Sequence, residues 1–252
     1  KTNRYLMKRF LFYMGHPAHY HNFKHVINAL INQEHAVKVI ARGKDVLFDL
    51  IETEDWDVIK LNERKPSGKW GLIKSIAERE WTLFTIARKF KPHIMIGTDL
   101  VITHVGKVLK IPSVVVNEDD SAAIPLMAKY AFPYATAILA PHCCDQSPAN
   151  EKKIGYNGYH ELAYLHPHYF TPNFSSLPIS IRESGKYFLL RFASLHAHHD
   201  KGRKGISDEL AMEIVSILKP HGRVYINSER AFSEALEPYR LRVAPREIHQ
   251  VM

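Results

Sequence analysis

The sequence predicts an α/β protein made of two Rossmann-like parallel-sheet domains, the second incomplete within these residues. Three observations predict it. Short apolar runs alternate with segments of helical periodicity, the pattern of a parallel sheet with right-handed crossovers. The opening run, Arg9 to Met14, stops at Gly15, and Val26, Ile27, Leu30 and Ile31 then recur at helical spacing in a stretch free of Gly and Pro. Finally, polar residues gather just after the apolar runs, where ligands of open α/β sheets bind.

In chain order, Ala36–Ala41 reads as the second strand, Val46–Glu54 as a helix and Trp56–Leu61 as a third strand. Breakers at Lys65–Lys69 mark a loop. Trp70–Phe90 follows as a long amphipathic helix, with Leu72, Ile73, Ile76, Leu83, Ile86 and Ala87 on its apolar side and Lys91-Pro92 as its stop. His93–Gly97 is a buried strand, Thr103–Leu109 a helix, Ser113–Val116 a strand, Ile124–Tyr130 a helix and Ala137–Ala140 a strand. From Tyr156 the texture loosens. The expected division is a first domain over 1–165, a linker over 166–183 and a partial second domain over 184–252. That second part offers the strands Lys186–Phe192, Gly222–Ser228 and Leu241–Val243 and the helix Asp208–Leu218, too few for the usual sheet of about five or six strands. The chain is expected to stop inside a domain.

Apolar content of 46% and charged content of 24% are ordinary for a globular protein, and no apolar run approaches the roughly 20 residues that span a bilayer. Cys143 and Cys144 are adjacent, which argues against a disulfide framework and for a reducing, cytoplasmic compartment. The net charge of +8 is dispersed rather than gathered in a block, and no nucleic-acid-binding motif accompanies it. Nucleic acid is therefore not expected as a partner. A phosphorylated substrate or peripheral contact with the inner face of a membrane explains the balance instead.

Four clusters carry candidate chemistry. Gly15, His16 and His19 form a stiffened loop at the first strand end, with His16 or His19 available to a ligand. Asp99, Glu118, Asp119 and Asp120 lie after two later strands and could share acid and base work, with helix capping as the structural alternative for the aspartates. Glu118 is the expected base, its pKa raised by its acidic neighbours. The loop from Arg191 through His196, His198, His199 and Asp200 concentrates bases and cations that could neutralise a leaving diphosphate, and Ser228-Glu229 closes the next strand. No third ligand completes a metal set in either histidine loop, so no metal is expected.

Gly15-His16-Pro17-Ala18-His19, the run from Tyr156 to Pro167 that includes Asn157, His160 and Glu161, Arg191–Ser194 with Ala197–Asp200, and Ser228-Glu229 together resemble the family called domain of unknown function 354. That family looks like a branch of the GT-B glycosyltransferases and UDP-N-acetylglucosamine 2-epimerases. The resemblance covers essentially the whole chain. It implies two Rossmann-like domains of GT-B type facing a cleft and a role in surface-polysaccharide or glycoconjugate synthesis. It also implies a further segment after His249 that would contribute to the donor diphosphate site.

The expected function is a metal-independent glycosyl transfer from a nucleotide-sugar donor, with no other cofactor, to a saccharide or lipid-linked acceptor. Glu118, His16, His19 and Asp99 are the catalytic candidates. Gly15, Asn157, His160, Glu161, Arg191, His196, His198, His199, Asp200, Ser228 and Glu229 are the substrate-binding ones. The alternatives are a nucleotide-sugar 2-epimerase and a non-catalytic sugar-nucleotide-binding protein. Against epimerisation, Ile124–Lys129 holds no carboxylate where the resemblance would place a second glutamate.

Overall fold

The computed structural model describes residues 6–43, 45–62, 68–192 and 205–252. It divides into two compact units, Lys1–Phe170 and Thr171–Met252. In the first, β1 (Arg9–Met14), β2 (Ala36–Gly43), β3 (Asp57–Asn62), β4 (Ile94–Gly97), β5 (Ser113–Val116), β6 (Ala137–Pro141) and β7 (Lys153–Tyr156) form one sheet in the order β3-β2-β1-β4-β5-β6-β7. Every neighbouring pair is parallel. This is a Rossmann-like parallel sheet, in agreement with the sequence.

A parallel sheet is covered on both faces, so successive side chains of one strand enter different cores. On β1, Leu11 and Tyr13 join α3 (Gly68–Phe90) and α4 (Leu100–Leu109) through Leu83, Ala87, Val101 and Val105. Phe12 and Met14 join α1 (Pro17–Asn32) and α2 (Asp45–Ile51) through Phe23, Ile27, Leu47 and Leu50. The first layer also holds α5 (Pro125–Tyr130). A short α6 (Leu162–Leu165) packs beside α1, with the rings of His21 and Tyr164 5.2 Å apart.

Three stretches differ from expectation. β7 has no counterpart in the sequence reading, because Lys153-Ile154-Gly155-Tyr156 contains neither an apolar run nor clean alternation. Part of the expected linker is packed: α7 (Ile179–Arg182) and the turn before it bury Leu177 and Ile181 against Val251 of α9 (Ile248–Val251). In this second unit β8 (Tyr187–Phe192) and β9 (Arg223–Ser228) pair in parallel across α8 (Asp208–Leu218). The expected strand Leu241–Val243 is absent, and a single bridge between Ile226 and Arg240 stands at that place. Ser207 caps α8 by accepting from Leu210 N at 3.2 Å.

The strand order reverses between β1 and β4, and their separation there is set by Gly97. A Cβ added at Gly97 would stand 2.6 Å from the carbonyl oxygen of Tyr13, a backbone atom that cannot rotate away. At Gly15 the equivalent atom meets only the flexible end of Arg42, at 3.1 Å. Gly97→Ala is therefore expected to destabilise the protein by about 1–3 kcal/mol, and Gly15→Ala by clearly less. Urea unfolding of the two variants checks the ranking.

Candidate functional site

Parallel register carries the ends of β1, β4 and β5 to one edge of the large sheet, so Gly15, Asp99 and Glu118 share that edge as expected. The structure gives them different tasks. Asp99 caps α4, accepting from Val101 N at 3.1 Å, and its other oxygen takes Arg79 Nη1 at 2.5 Å and Arg42 Nη2 at 3.6 Å. A carboxylate held by a helix terminus and two guanidinium groups anchors β2, α3 and α4 to one another. Neither arginine was among the candidates. Arg42 was findable, since it ends an apolar run.

His16 is the N-cap of α1, with Nδ1 accepting from Ala18 N at 3.2 Å. His19 lies one turn on, where the strand order reverses. Its Nδ1 accepts from Gly15 N at 3.0 Å, and Thr98 Oγ1 lies 3.1 Å from both ring nitrogens. With Nδ1 accepting, the ring proton sits on Nε2 and the threonine oxygen receives it. Burial, reinforced by His16 and His160, pushes the His19 pKa down to about 3. A neutral ring with both nitrogens engaged clamps β1 to β4 and has no lone pair to offer a substrate.

Glu118 is paired with a histidine. Its Oε2 lies 3.1 Å from Nδ1 of His160, a residue 8% exposed on the loop after β7. Asn22, two turns into α1, places its amide nitrogen 3.2 Å from the same Nδ1. The two contacts make opposite demands, a proton for the carboxylate and a lone pair for the amine. The hydrogen bond to the carboxylate is the stronger, and turning the amide end for end would present Asn22 Oδ1, which otherwise has no partner among the described residues. His160 Nε2 is then a lone-pair acceptor, buried and without a partner among the described residues. The ring stacks nearly parallel to Tyr156, at 6.5 Å and 11°.

The hydrogen bond from His160 holds the Glu118 pKa below the usual carboxylate range, against the opposing effect of burial. This overturns the expectation that Asp119 and Asp120 would raise it. Neither neighbour contributes to that shift; Asp119 accepts from Asn117 and Gln146 through its backbone oxygen, and Asp120 Oδ1 accepts from Asp145 N at 2.7 Å. Asp120 does not cap α5, whose N-cap is Ile124 with no side-chain cap bond. Cys144 Sγ donates to Glu118 O at 3.0 Å, so two loops are tied around the glutamate.

His160 and Asn22, with Asn157, also line a cavity of about 540 Å³ on the α1 side of the sheet, walled by Phe12, Ile96, Val116 and Leu139. That volume lies in the range of small-molecule pockets. Glu161 is exposed at the start of α6 and makes no cap bond. In the second unit, Arg191 Nη2 pairs with Glu229 Oε1 at 2.8 Å across the ends of β8 and β9, and Ser228 Oγ accepts from Arg230 N at 3.1 Å. The candidates His196, His198, His199 and Asp200 lie outside the described residues. Among the described residues no group of His, Cys, Asp and Glu is placed to hold a metal ion.

Solved structures share this architecture. A UDP-GlcNAc 2-epimerase from Neisseria meningitidis, bound to UDP-GlcNAc, superposes with a TM-score of 0.59 at 14% identity, over 91% of this chain and 67% of that one. The UDP-N-acetylglucosamine 2-epimerase of Rickettsia bellii gives 0.58 at 13% identity, over 98% and 64%. A glycosyltransferase from Rickettsia africae gives 0.51 at 12% identity, over 89% and 60%. The likeness is one of fold. The chain spans about two thirds of the length of these proteins. No protein-family model matches it, and no curated protein matches it in sequence.

The depressed His19 pKa makes a signed prediction. Between about pH 6.5, the ordinary histidine value, and about pH 3, the unfolded chain takes up a proton at this site that the folded chain refuses. Stability is therefore present above that window and falls as pH drops through it, by at most about 1.4 kcal/mol per pH unit, and by less because the ring is partly exposed. His19→Asn keeps an acceptor for Gly15 N and removes the titration, so its unfolding free energy is expected to depend less on pH. An NMR titration in which the His19 ring is protonated at pH 5 would contradict the assignment.

Proposed function

We propose that the protein is a glycosyltransferase that moves a sugar from a nucleotide-sugar donor to an acceptor hydroxyl, with His160 as the base and Glu118 as the group that orients it. The observation that carries the reading is the Glu118–His160 contact of 3.1 Å, together with the buried Nε2 that no group among the described residues satisfies. An ionised carboxylate on Nδ1 fixes the tautomer that leaves Nε2 able to accept a proton. As the acceptor oxygen attacks the anomeric carbon, its proton passes to Nε2, the bond to the donor phosphate breaks, and the nucleoside diphosphate leaves with the electron pair. Glu118 stays ionised throughout and stabilises the imidazolium that forms.

Support for the donor class is the fold shared with an epimerase bound to UDP-GlcNAc and with a glycosyltransferase. The resemblance of the Tyr156–Pro167 stretch to domain of unknown function 354 points the same way, and that stretch supplies His160. A saccharide or lipid-linked molecule is the acceptor on this reading. The exposed free thiol of Cys143 fits a cytoplasmic site of action. A 2-epimerase is the second reading, favoured by the same fold. The absence of a carboxylate from α5 weighs against it.

Incubation with a panel of nucleotide sugars and candidate acceptors, read by mass spectrometry, separates the readings. Transfer releases the nucleoside diphosphate only when acceptor is present, whereas epimerisation returns an isomeric nucleotide sugar of unchanged mass. His160→Ala is expected to lower kcat by about 10²–10⁴-fold with little change in donor affinity. Glu118→Gln should lower it too, and the double variant should lose far less than the sum of the two, as groups acting as a unit do. Near-normal turnover in His160→Ala removes it as the base.

A further inference from the structure

The helical layer formed by α3, α4 and α5 carries apolar surface that its packing does not use. On α3, Trp70, Ile73 and Trp81 are 82%, 56% and 68% exposed. Their spacing of three and eight residues brings them, with exposed Ala77 between, to one face of the helix. The two tryptophans stand about 16 Å apart along the axis. Trp81 stacks on Phe84 at 5.8 Å, and Arg88 lies over that second ring at 5.7 Å, so the stripe continues toward the basic end of the helix. On the next helix, α4, Val108 is 70% exposed.

The charges beside the stripe are mostly positive. Lys74, Arg88 and Lys89 are exposed on α3, and Lys107 on α4. The nearby acids are partnered: Glu78 with Lys74 at 3.9 Å, and Glu80 with His104 at 2.5 Å. Tryptophan prefers the boundary between hydrocarbon and water, where its ring is buried and its N–H stays wet. Lysine and arginine keep their charges at the lipid headgroups while their stems lie along apolar surface. A helix with such a face lies in the plane of a bilayer, and cations on it favour anionic lipid. No helix among the described residues is long and apolar enough to cross a membrane, so α3 could lie on a bilayer without spanning it.

We infer that the Trp70–Ile73–Trp81 face of α3 is a docking surface for an anionic membrane. Charge complementarity selects this occupant over a second copy of the chain, which would present the same cations to each other across a two-fold axis. The inference stands apart from the glycosyl-transfer reading. If both hold, the surface brings the site to an acceptor carried in lipid.

Vesicle sedimentation tests it without any need for turnover. The protein is mixed with vesicles of equal parts phosphatidylglycerol and phosphatidylcholine, and with phosphatidylcholine alone. The expected result is binding to the anionic vesicles that weakens with salt, with a blue shift in tryptophan emission. Two of the three tryptophans are on this face, so the emission reports on it directly. Lys74→Ala and Arg88→Ala should each weaken binding about fivefold, and the double substitution Trp70→Ser/Trp81→Ser by at least about tenfold. All these side chains are exposed, so thermal unfolding should be unchanged and serves as the folding control. Failure of the unaltered protein to bind anionic vesicles overturns the inference. So does undiminished binding by the tryptophan variant, or a dimer in light scattering that this variant dissolves.

Discussion

The carboxyl edge of the large sheet depends on how β1 and β4 are joined where the strand order reverses. Two features make that join: the contact that only a glycine at position 97 permits, and the His19 ring set between Gly15 N and Thr98 Oγ1. The ring must be neutral for Nδ1 to accept, and burial keeps it so. Gly15 thereby holds a fixed place beside Arg42, and α1 leaves the strand end in the direction that delivers Asn22 to His160. The helix that covers one half of the sheet thus also helps to build the candidate site on the other.

Much of the first unit was legible in the sequence because a parallel strand buried on both faces is written as an apolar run. Leu11–Met14, Val114–Val116 and Ile138–Ala140 each read this way, and each is a strand. Leu241-Arg242-Val243 resembles a strand by alternation, yet only one bridge joins that stretch to β9, since a period of two says nothing about the availability of a partner edge.

The site was legible in placement and not in electrostatics. Residues after apolar runs fell at one sheet edge, as the topology requires, but which of them meet is decided by side chains far apart in sequence. Glu118 was read beside Asp119 and Asp120, its neighbours along the chain, and was given a raised pKa. Its neighbour in space is His160, which lowers it. Asn22 could have been suspected, because His16, His19 and Asn22 recur every three residues at the start of α1. The two arginines on Asp99 come from β2 and α3, and no local pattern links them to a residue of another strand end.

Among the described residues β7 is the last strand on one side of the large sheet and leaves a row of backbone groups with no further strand to meet. Such a row can template pairing with another chain. The lysines that hide β7 from a reading of the sequence also restrain its surroundings. Lys153 Nζ donates to the carbonyl oxygens of His142 and Cys144, and Lys152 Nζ to those of Phe132 and Pro133. Their two positive charges sit at the beginning of a four-residue strand interrupted by Gly155, so little flat ribbon is left for a stranger to extend. The same pair of side chains therefore fastens the loops on either side of β6 and discourages edge-to-edge aggregation.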